Sequence, residues 1–309
     1  MKIYYGQAIY DNKEISAAVR VLKRNSLNLI DGPSVKKLEK KIAKLFGKKY
    51  GLMVNSGSSA NLLALSSFNF KKGSEIITPS LTWSTTVSPI YQLGYVAHFI
   101  GVEENKFLSD INQIEKCINK KTAAIMLPNL LGNVLEWKTI YNIAKKYNIH
   151  VVEDACMGIG SRINKKSPGT FGIVNAFSMH PLKSLNVMGD GGMVVTNNKK
   201  IAEWLRKFRN HGMVDRDHID FWGVNMRLQP LQAVVALEGL KTVRSVIKKR
   251  NNNAKQMDKG LKDLYPKVIL PKRLKNYHET FALYMALFEK RDQLLKYLIK
   301  NKIEAKIHY

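Results

Sequence analysis

Along the first two hundred residues, two kinds of hydrophobic spacing alternate. Short uninterrupted apolar or β-branched runs occur at Gly51–Val54, Glu75–Thr78, Val96–Val102, Thr122–Leu127, His150–Glu153, Val174–Ser178 and Met193–Thr196. Between them, apolar residues recur every three or four positions at Ile15–Leu22, Val35–Phe46, Ala60–Phe68, Thr139–Tyr147 and Ile201–Phe208, with Ser34 as an expected cap for the second of these. Continuous runs alternating with helical spacing predict crossover units and a mostly parallel sheet flanked by helices. Ligands of such sheets collect beyond the carboxyl ends of the strands.

From about Val246 the pattern changes to a Lys/Asn-rich helix, a short strand near Lys267–Leu270, a second at Tyr284–Phe288, and a helix over Asp292–Lys300. This divides the chain into a large domain, residues 1–245, and the beginning of a small α+β domain, residues 246–309. The last residues, Ile303–Tyr309, read as a strand with no stop signal after it. The expectation is a small domain that is incomplete here, with that strand leaving a poorly covered sheet edge.

Composition changes the picture little. A 45% apolar share fits a packed globular protein. No run of about 18 apolar residues is present, so no membrane span is expected, and Met1–Tyr5 lack the apolar core of a signal peptide. The two cysteines, Cys117 and Cys156, have neither disulfide-framework nor zinc-site spacing, which points to a reducing cytoplasm and no metal. Fifty Lys and Arg against 24 Asp and Glu give a net charge of +26. The excess is spread in short runs such as Lys36-Lys37 and Lys248-Lys249-Arg250, without a basic tail or basic–aromatic motif. It reads as solvated helix faces or as attraction for an anionic nucleotide, and not as a nucleic-acid partner.

Three segments carry candidate chemistry. Asn55-Ser56-Gly57-Ser58-Ser59 lies between a strand and a helix, where small residues and free N–H groups can cradle an anion, or where Ser is an ordinary cap. Asp154 ends a strand, placed either to face a cationic ring nitrogen or to cap the next turn. Lys183 follows Ser178 and precedes Gly189-Asp190-Gly191-Gly192, whose glycines permit close backbone approach to a flat ligand. It is either a solvated lysine or an amine of lowered pKa suited to Schiff-base chemistry.

In this order and spacing the segments resemble the sugar aminotransferases of the DegT/DnrJ/EryC1/StrS group, fold type I pyridoxal-phosphate enzymes. Further matches are Pro79–Trp83, Gly132, Glu153-Asp154, Phe171-Gly172, Arg209-Asn210-His211-Gly212 and Gly223–Leu228. The resemblance implies pyridoxal 5'-phosphate as cofactor, with Lys183 as its covalent anchor and proton carrier, and Asp154 paired with the ring nitrogen. It implies that Gly57, Ser58 and Ser178 hold the phosphate and that Trp83 stacks on the ring. Asn225 and Arg227 would reach into a neighbouring subunit's site, making the protein a homodimer with shared sites. His180 and His211 are expected to be structural.

The implied activity is transfer of an amino group from glutamate or glutamine to a keto group of a nucleotide-linked sugar, for lipopolysaccharide or other amino-sugar pathways. The alternative is a nucleotide-sugar 3-dehydratase using the same cofactor. Asn129-Leu130-Leu131-Gly132-Asn133 looks more like the dehydratases and would shape the sugar pocket, but those relatives carry His where this chain has Lys183. Met157 stands where most of the family has a Gln near the cofactor's hydroxyl. A regulator retaining the fold is argued against by the intact Lys183 and Asp154. A Rossmann dehydrogenase is excluded by the lack of a GxGxxG fingerprint.

Overall fold

The computed structural model describes residues 2–24, 29–104 and 106–308. Seven strands form the central sheet: β1 Tyr50–Val54, β2 Glu75–Pro79, β3 Val96–Ile100, β4 Thr122–Pro128, β5 His150–Asp154, β6 Val174–Ser178 and β7 Gly192–Thr196. Their order is β1-β7-β6-β5-β4-β2-β3. All neighbours pair parallel except β7, which runs antiparallel to both β6 and β1. The carboxyl ends of the other six strands therefore share one edge of the sheet with the first residue of β7.

The helices are α1 Asn12–Arg24, α2 Pro33–Leu45, α3 Gly57–Ser66, α4 Ser84–Gln92, α5 Ile114–Cys117, α6 Trp137–Lys146, α7 Lys199–Phe208, α8 Pro230–Leu261 and α9 Arg291–Lys300. Strand side chains alternate between two faces, as the pleat requires. Met53, Phe177, Met193 and Val195 pack with α2 and α8, whereas Leu52, Val54, Ala176 and Val194 pack with α3 and α7. Ile77, Ile125, Leu127 and Val151 form a third cluster with Trp137 and Ile140 of α6. The architecture is the three-layer α/β arrangement that the alternating pattern predicts.

Differences from the expected elements have local causes. The run 96–102 breaks at Gly101, whose N–H bonds the Gln113 side chain (2.9 Å) and whose carbonyl accepts from Asp110 N (2.9 Å). Ser34 does not cap α2. Gly32 holds the cap position with Pro33 in the first turn, and Ser34 Oγ points to the Pro230 carbonyl (3.5 Å). α3 begins at Gly57 rather than Ala60, capped by Ser56, whose side chain accepts from Ser59 N (3.0 Å). α4 was not expected at all, because Thr85-Thr86-Val87 and Pro89 argue against a helix.

The residue pair 245/246 falls inside α8, a single 32-residue helix. Beyond it, Val268–Ile269 pairs antiparallel with Leu287–Phe288, and Tyr277–His278 pairs with Arg162–Ile163. Ile303–His308 is not a strand. It makes one parallel bridge, Ile3 to Ile303, and continues beside Tyr5 without further ladder pairing, while Tyr309 lies outside the described residues.

α8 also carries the connection 179–191 between β6 and β7 along one face. Gln232 Nε2 donates to the Asp190 carbonyl (2.6 Å), and Arg250 Nη2 donates to the Leu182 carbonyl (2.8 Å). Between them Gly239 faces Leu185, whose Cδ1 would lie 3.1 Å from any added Cβ. These three helix positions share one azimuth, since the span from Gln232 to Arg250 is about five turns.

Candidate active site

Asp154 closes β5 with its carboxylate buried. Oδ1 accepts from Cys156 N (3.0 Å), and Oδ2 accepts from both Asn61 Nδ2 (2.9 Å) and Thr86 Oγ1 (2.7 Å). Both side-chain donors are almost fully buried, at 1% exposure each. Buried partners of this kind fix the direction of a carboxylate.

The sequence explains how α4 supplies Thr86. Pro89 has no N–H to give to the carbonyl of Thr85, four residues back. That carbonyl accepts instead from Asn61 Nδ2 (3.1 Å), the same nitrogen that holds Asp154. One amide of α3 thus repairs the proline defect in α4 and positions the carboxylate. Its Oδ1 is buried without a hydrogen-bond partner.

Beside Asp154, the N-terminus of α3 approaches the end of β6. A Cβ on Gly57 would lie 2.6 Å from Ser178 Cβ and 3.1 Å from Cys156 Sγ, so no larger residue fits. The first N–H groups of α3 have no acceptor within the helix, and the hydroxyls of Ser58 and Ser178 stand next to them at the cavity wall. Here the expectation for the other glycines needs correction. Gly189, Gly191 and Gly192 do not line the cavity. A Cβ on Gly191 would strike Val187 and one on Gly192 would strike the Ser56 carbonyl, so both glycines serve protein packing, and Asp190 alone of that run faces the opening.

Lys183 lies in the connection 179–191, in a turn closed by its N–H to the His180 carbonyl (2.8 Å). Burial pushes its amine below the usual lysine range, with the Arg250 cation adding to the effect and Cys156 and Asp154 opposing it. The Cys156 thiol is held well above its ordinary value by burial. His180 uses Nδ1 to accept from Leu182 N (3.2 Å), a structural role, though its ring also reaches the cavity.

One cavity of about 660 Å³ gathers Gly57, Ser58, Trp83, Asp154, Ser178 and Lys183. Asn225 and Arg227 lie outside it. Arg227 Nη1 donates to Asn210 Oδ1 (2.6 Å), its Nε donates to Asn225 Oδ1 (3.1 Å), and its backbone bridges Val54. Asn61 and Thr86 were missed, and so were Tyr5, Lys306 and His308, which reach the cavity wall from the two chain ends. The amide in the otherwise apolar run Ala60–Leu65 is a signal that could have found Asn61. For the terminal residues the sequence holds no local signal.

Asn129 and Leu130 line the cavity, as expected of that stretch, while the Asn129 amide is held from behind. Its nitrogen donates to Glu153 Oε1 (2.8 Å), and its oxygen accepts from Trp137 Nε1 (2.9 Å). Glu153 is wholly buried, also accepts from Gly169 N (2.9 Å) and Asn175 Nδ2 (2.5 Å), and has its carboxyl pushed up to about 7 by burial. Met157 lines the cavity, and its sulfur accepts from Leu131 N (3.3 Å).

A buried carboxylate, a helix N-terminus and a lysine of depressed pKa meet in one cavity at the carboxyl edge of a mostly parallel sheet, in a fold shared with the pyridoxal-phosphate aminotransferases. The DegT/DnrJ/EryC1/StrS aminotransferase family model matches residues 9–309, and the chain belongs to that family. It is 31% identical to a UDP-N-acetyl-3-dehydro-α-D-glucosamine 3-aminotransferase of Acidithiobacillus ferrooxidans, over 91% of this chain and 76% of that protein. Among solved structures it superposes on the Helicobacter pylori aminotransferase PseC, involved in pseudaminic acid biosynthesis, with a TM-score of 0.92 at 28% identity, over 100% of this chain and 85% of that one. It superposes on an Escherichia coli GDP-4-keto-6-deoxy-D-mannose-3-dehydratase holding hydrated pyridoxal phosphate, with a TM-score of 0.89 at 29% identity, over 98% of this chain and 85% of that one.

Proposed function

We propose that this chain is a pyridoxal-phosphate-dependent aminotransferase that moves an amino group from glutamate or glutamine to a keto group of a nucleotide-linked sugar. The observation that carries the reading is Lys183 sharing one cavity with Asp154 and the α3 N-terminus. The residues fit the cofactor: an anion faces a cationic ring nitrogen, and the α3 N–H groups with the Ser58 and Ser178 hydroxyls suit a phosphate. When bound, the cofactor supplies an electron sink for amine exchange.

Lys183 would be the covalent anchor, and its Nζ, whose ammonium form burial disfavours, would take and return the proton that the exchange moves. Asp154, fixed by Asn61 and Thr86, holds the ring nitrogen protonated. Trp83, at the start of α4 and on the cavity wall, would cover the ring face. Asn225 and Arg227 serve the site of a second copy in a homodimer. The enzyme works in the cytoplasm on precursors of lipopolysaccharide or related amino sugars. Consistent with this, no helix among the described residues is long and apolar enough to cross a membrane.

The 3-dehydratase alternative drew on the stretch from Asn129 to Asn133, of which Asn129 and Leu130 line the cavity; Lys183, in place of the His of those relatives, favours amino transfer. Incubation with ¹⁵N-glutamate, pyridoxal phosphate and a panel of nucleotide keto-sugars tests the reading. A sugar carrying ¹⁵N is expected. A deoxygenated keto-sugar without nitrogen would replace this reading with the dehydratase.

A further inference from the structure

Arg250 of α8 makes three hydrogen bonds, all to backbone carbonyls: Leu182 (2.8 Å), Ala282 (3.1 Å) and Phe281 (3.3 Å). Among the described residues no Asp or Glu pairs with it. Leu182 precedes Lys183, while Ala282 and Leu283 form another part of the cavity wall. Residues 279–284 are bound to α8 at further points. Asn251 Nδ2 donates to the Glu279 carbonyl (3.1 Å) and Tyr284 donates to Asp258 (2.7 Å).

We propose that Arg250 is a positioning residue for Lys183: its guanidinium fixes the peptide carbonyl beside the lysine, braces the wall at Phe281 and Ala282, and sets an unneutralised positive charge within reach of the amine. The proposal rests on Lys183 being the cofactor anchor.

The groups around the Lys183 amine can be named by element. Asp154 and Cys156 face it from the end of β5, and Arg250 from α8. His180 and Asp190 belong to its own connection. His308 faces it from the C-terminal segment, with Lys306 acting on that histidine. The anionic charge of Asp154 favours the ammonium, whereas a cation disfavours it. An arginine does not titrate in the accessible range, so its effect is constant with pH. Carbonyl acceptors satisfy its N–H groups without cancelling its charge, which a carboxylate partner would do. Removing that charge raises the Lys183 pKa, so a more alkaline medium is needed for the neutral, reactive amine.

The test uses Arg250→Gln, which keeps amide donors without charge, and Arg250→Lys, which keeps charge without the fork. Arg250→Met is the neutral comparison should Arg250→Gln not fold. Each protein is loaded with pyridoxal phosphate and reduced with borohydride across a pH series, and label on Lys183 is quantified by peptide mass spectrometry. The midpoint should rise on the order of one pH unit in the neutral variant. Arg250→Lys should stay near the wild-type midpoint with lower maximal labelling. A neutral variant titrating with the wild type would overturn this role while leaving Lys183 as the anchor. Absence of label on wild-type Lys183 would overturn the anchor itself, and this proposal with it.

Discussion

Asn61 donates through Nδ2 to Oδ2 of Asp154 at 2.9 Å, across 93 residues of sequence. The same nitrogen serves the Thr85 carbonyl that Pro89 leaves open. The amide that helps to hold Asp154 therefore also answers the gap that a proline outside the cavity leaves in α4. Asn61→Leu would leave that carbonyl and one lobe of the carboxylate without their donor.

Leaving buried acceptors unpaired costs about 1–3 kcal/mol. Asn61→Leu should accordingly lower the melting temperature and reduce pyridoxal phosphate retention, and Thr86→Val, which removes the other buried side-chain donor to Asp154, should act in the same two directions. Calorimetric melting and equilibrium dialysis against the cofactor measure the two effects. Unchanged values for Asn61→Leu would show that the amide does not position Asp154.

Glu153 provides a pH test. Its folded pKa, about 7, lies above the ordinary glutamate value of 4.5, so between those values the folded state binds more protons than the unfolded state. Stability from this group is thus present below about pH 4.5 and is lost as pH rises through about 7. Glu153→Gln removes the titration but sets an amide against N–H donors, so it is destabilised at every pH. The wild-type advantage should shrink from pH 5 to pH 8 in chemical denaturation. A constant difference across that range contradicts the raised pKa.

Met157 offers a gain-of-contact test. Its sulfur takes the Leu131 N–H, a bond that a glutamine oxygen can accept while the amide nitrogen faces the cavity. A single added hydrogen bond is worth about 0.5–1.5 kcal/mol. Met157→Gln should tighten pyridoxal phosphate binding by about two- to tenfold, read by fluorescence titration. Equal or weaker binding means that the new amide does not reach the cofactor.

Sharing of sites between subunits predicts complementation. Arg227 binds Asn210 and Asn225 of its own chain and lies outside that chain's cavity. Lys183→Ala and Arg227→Ala proteins, each inactive, should regain activity when mixed into heterodimers. Heterodimers verified by mass spectrometry that stay inactive argue for sites built within one chain.

The sheet was legible because parallel strands buried on both faces must be apolar throughout, as Ala124, Ile125, Met126 and Leu127 of β4 are. The cavity residues Gly57, Ser58, Asp154 and Ser178 were legible as candidates because they sit at or just beyond the ends of strands. α4 was not, since its stability depends on Asn61, a partner that no window around Pro89 contains. Asn129 lines the cavity as its neighbours in sequence suggest, but its partners, Glu153 and Trp137, are brought to it by β5 and α6 and no local window contains them. The wall contributed by Tyr5, Lys306 and His308 depends on the two chain ends meeting at Ile3 and Ile303.

α8 meets the lysine-bearing connection at Gln232, Gly239 and Arg250, positions that coincide in angle only because of their spacing. One residue inserted between Gln232 and Arg250 turns everything after it by about 100° and advances it about 1.5 Å. Arg250 would then point away from Leu182, although every side chain had been kept. Two insertions would carry it further round, whereas a block of about eleven, close to three turns, would restore the angle but lengthen the reach by about 16 Å. The helix thus works as a vernier: between those two residues its length is fixed more tightly than its composition.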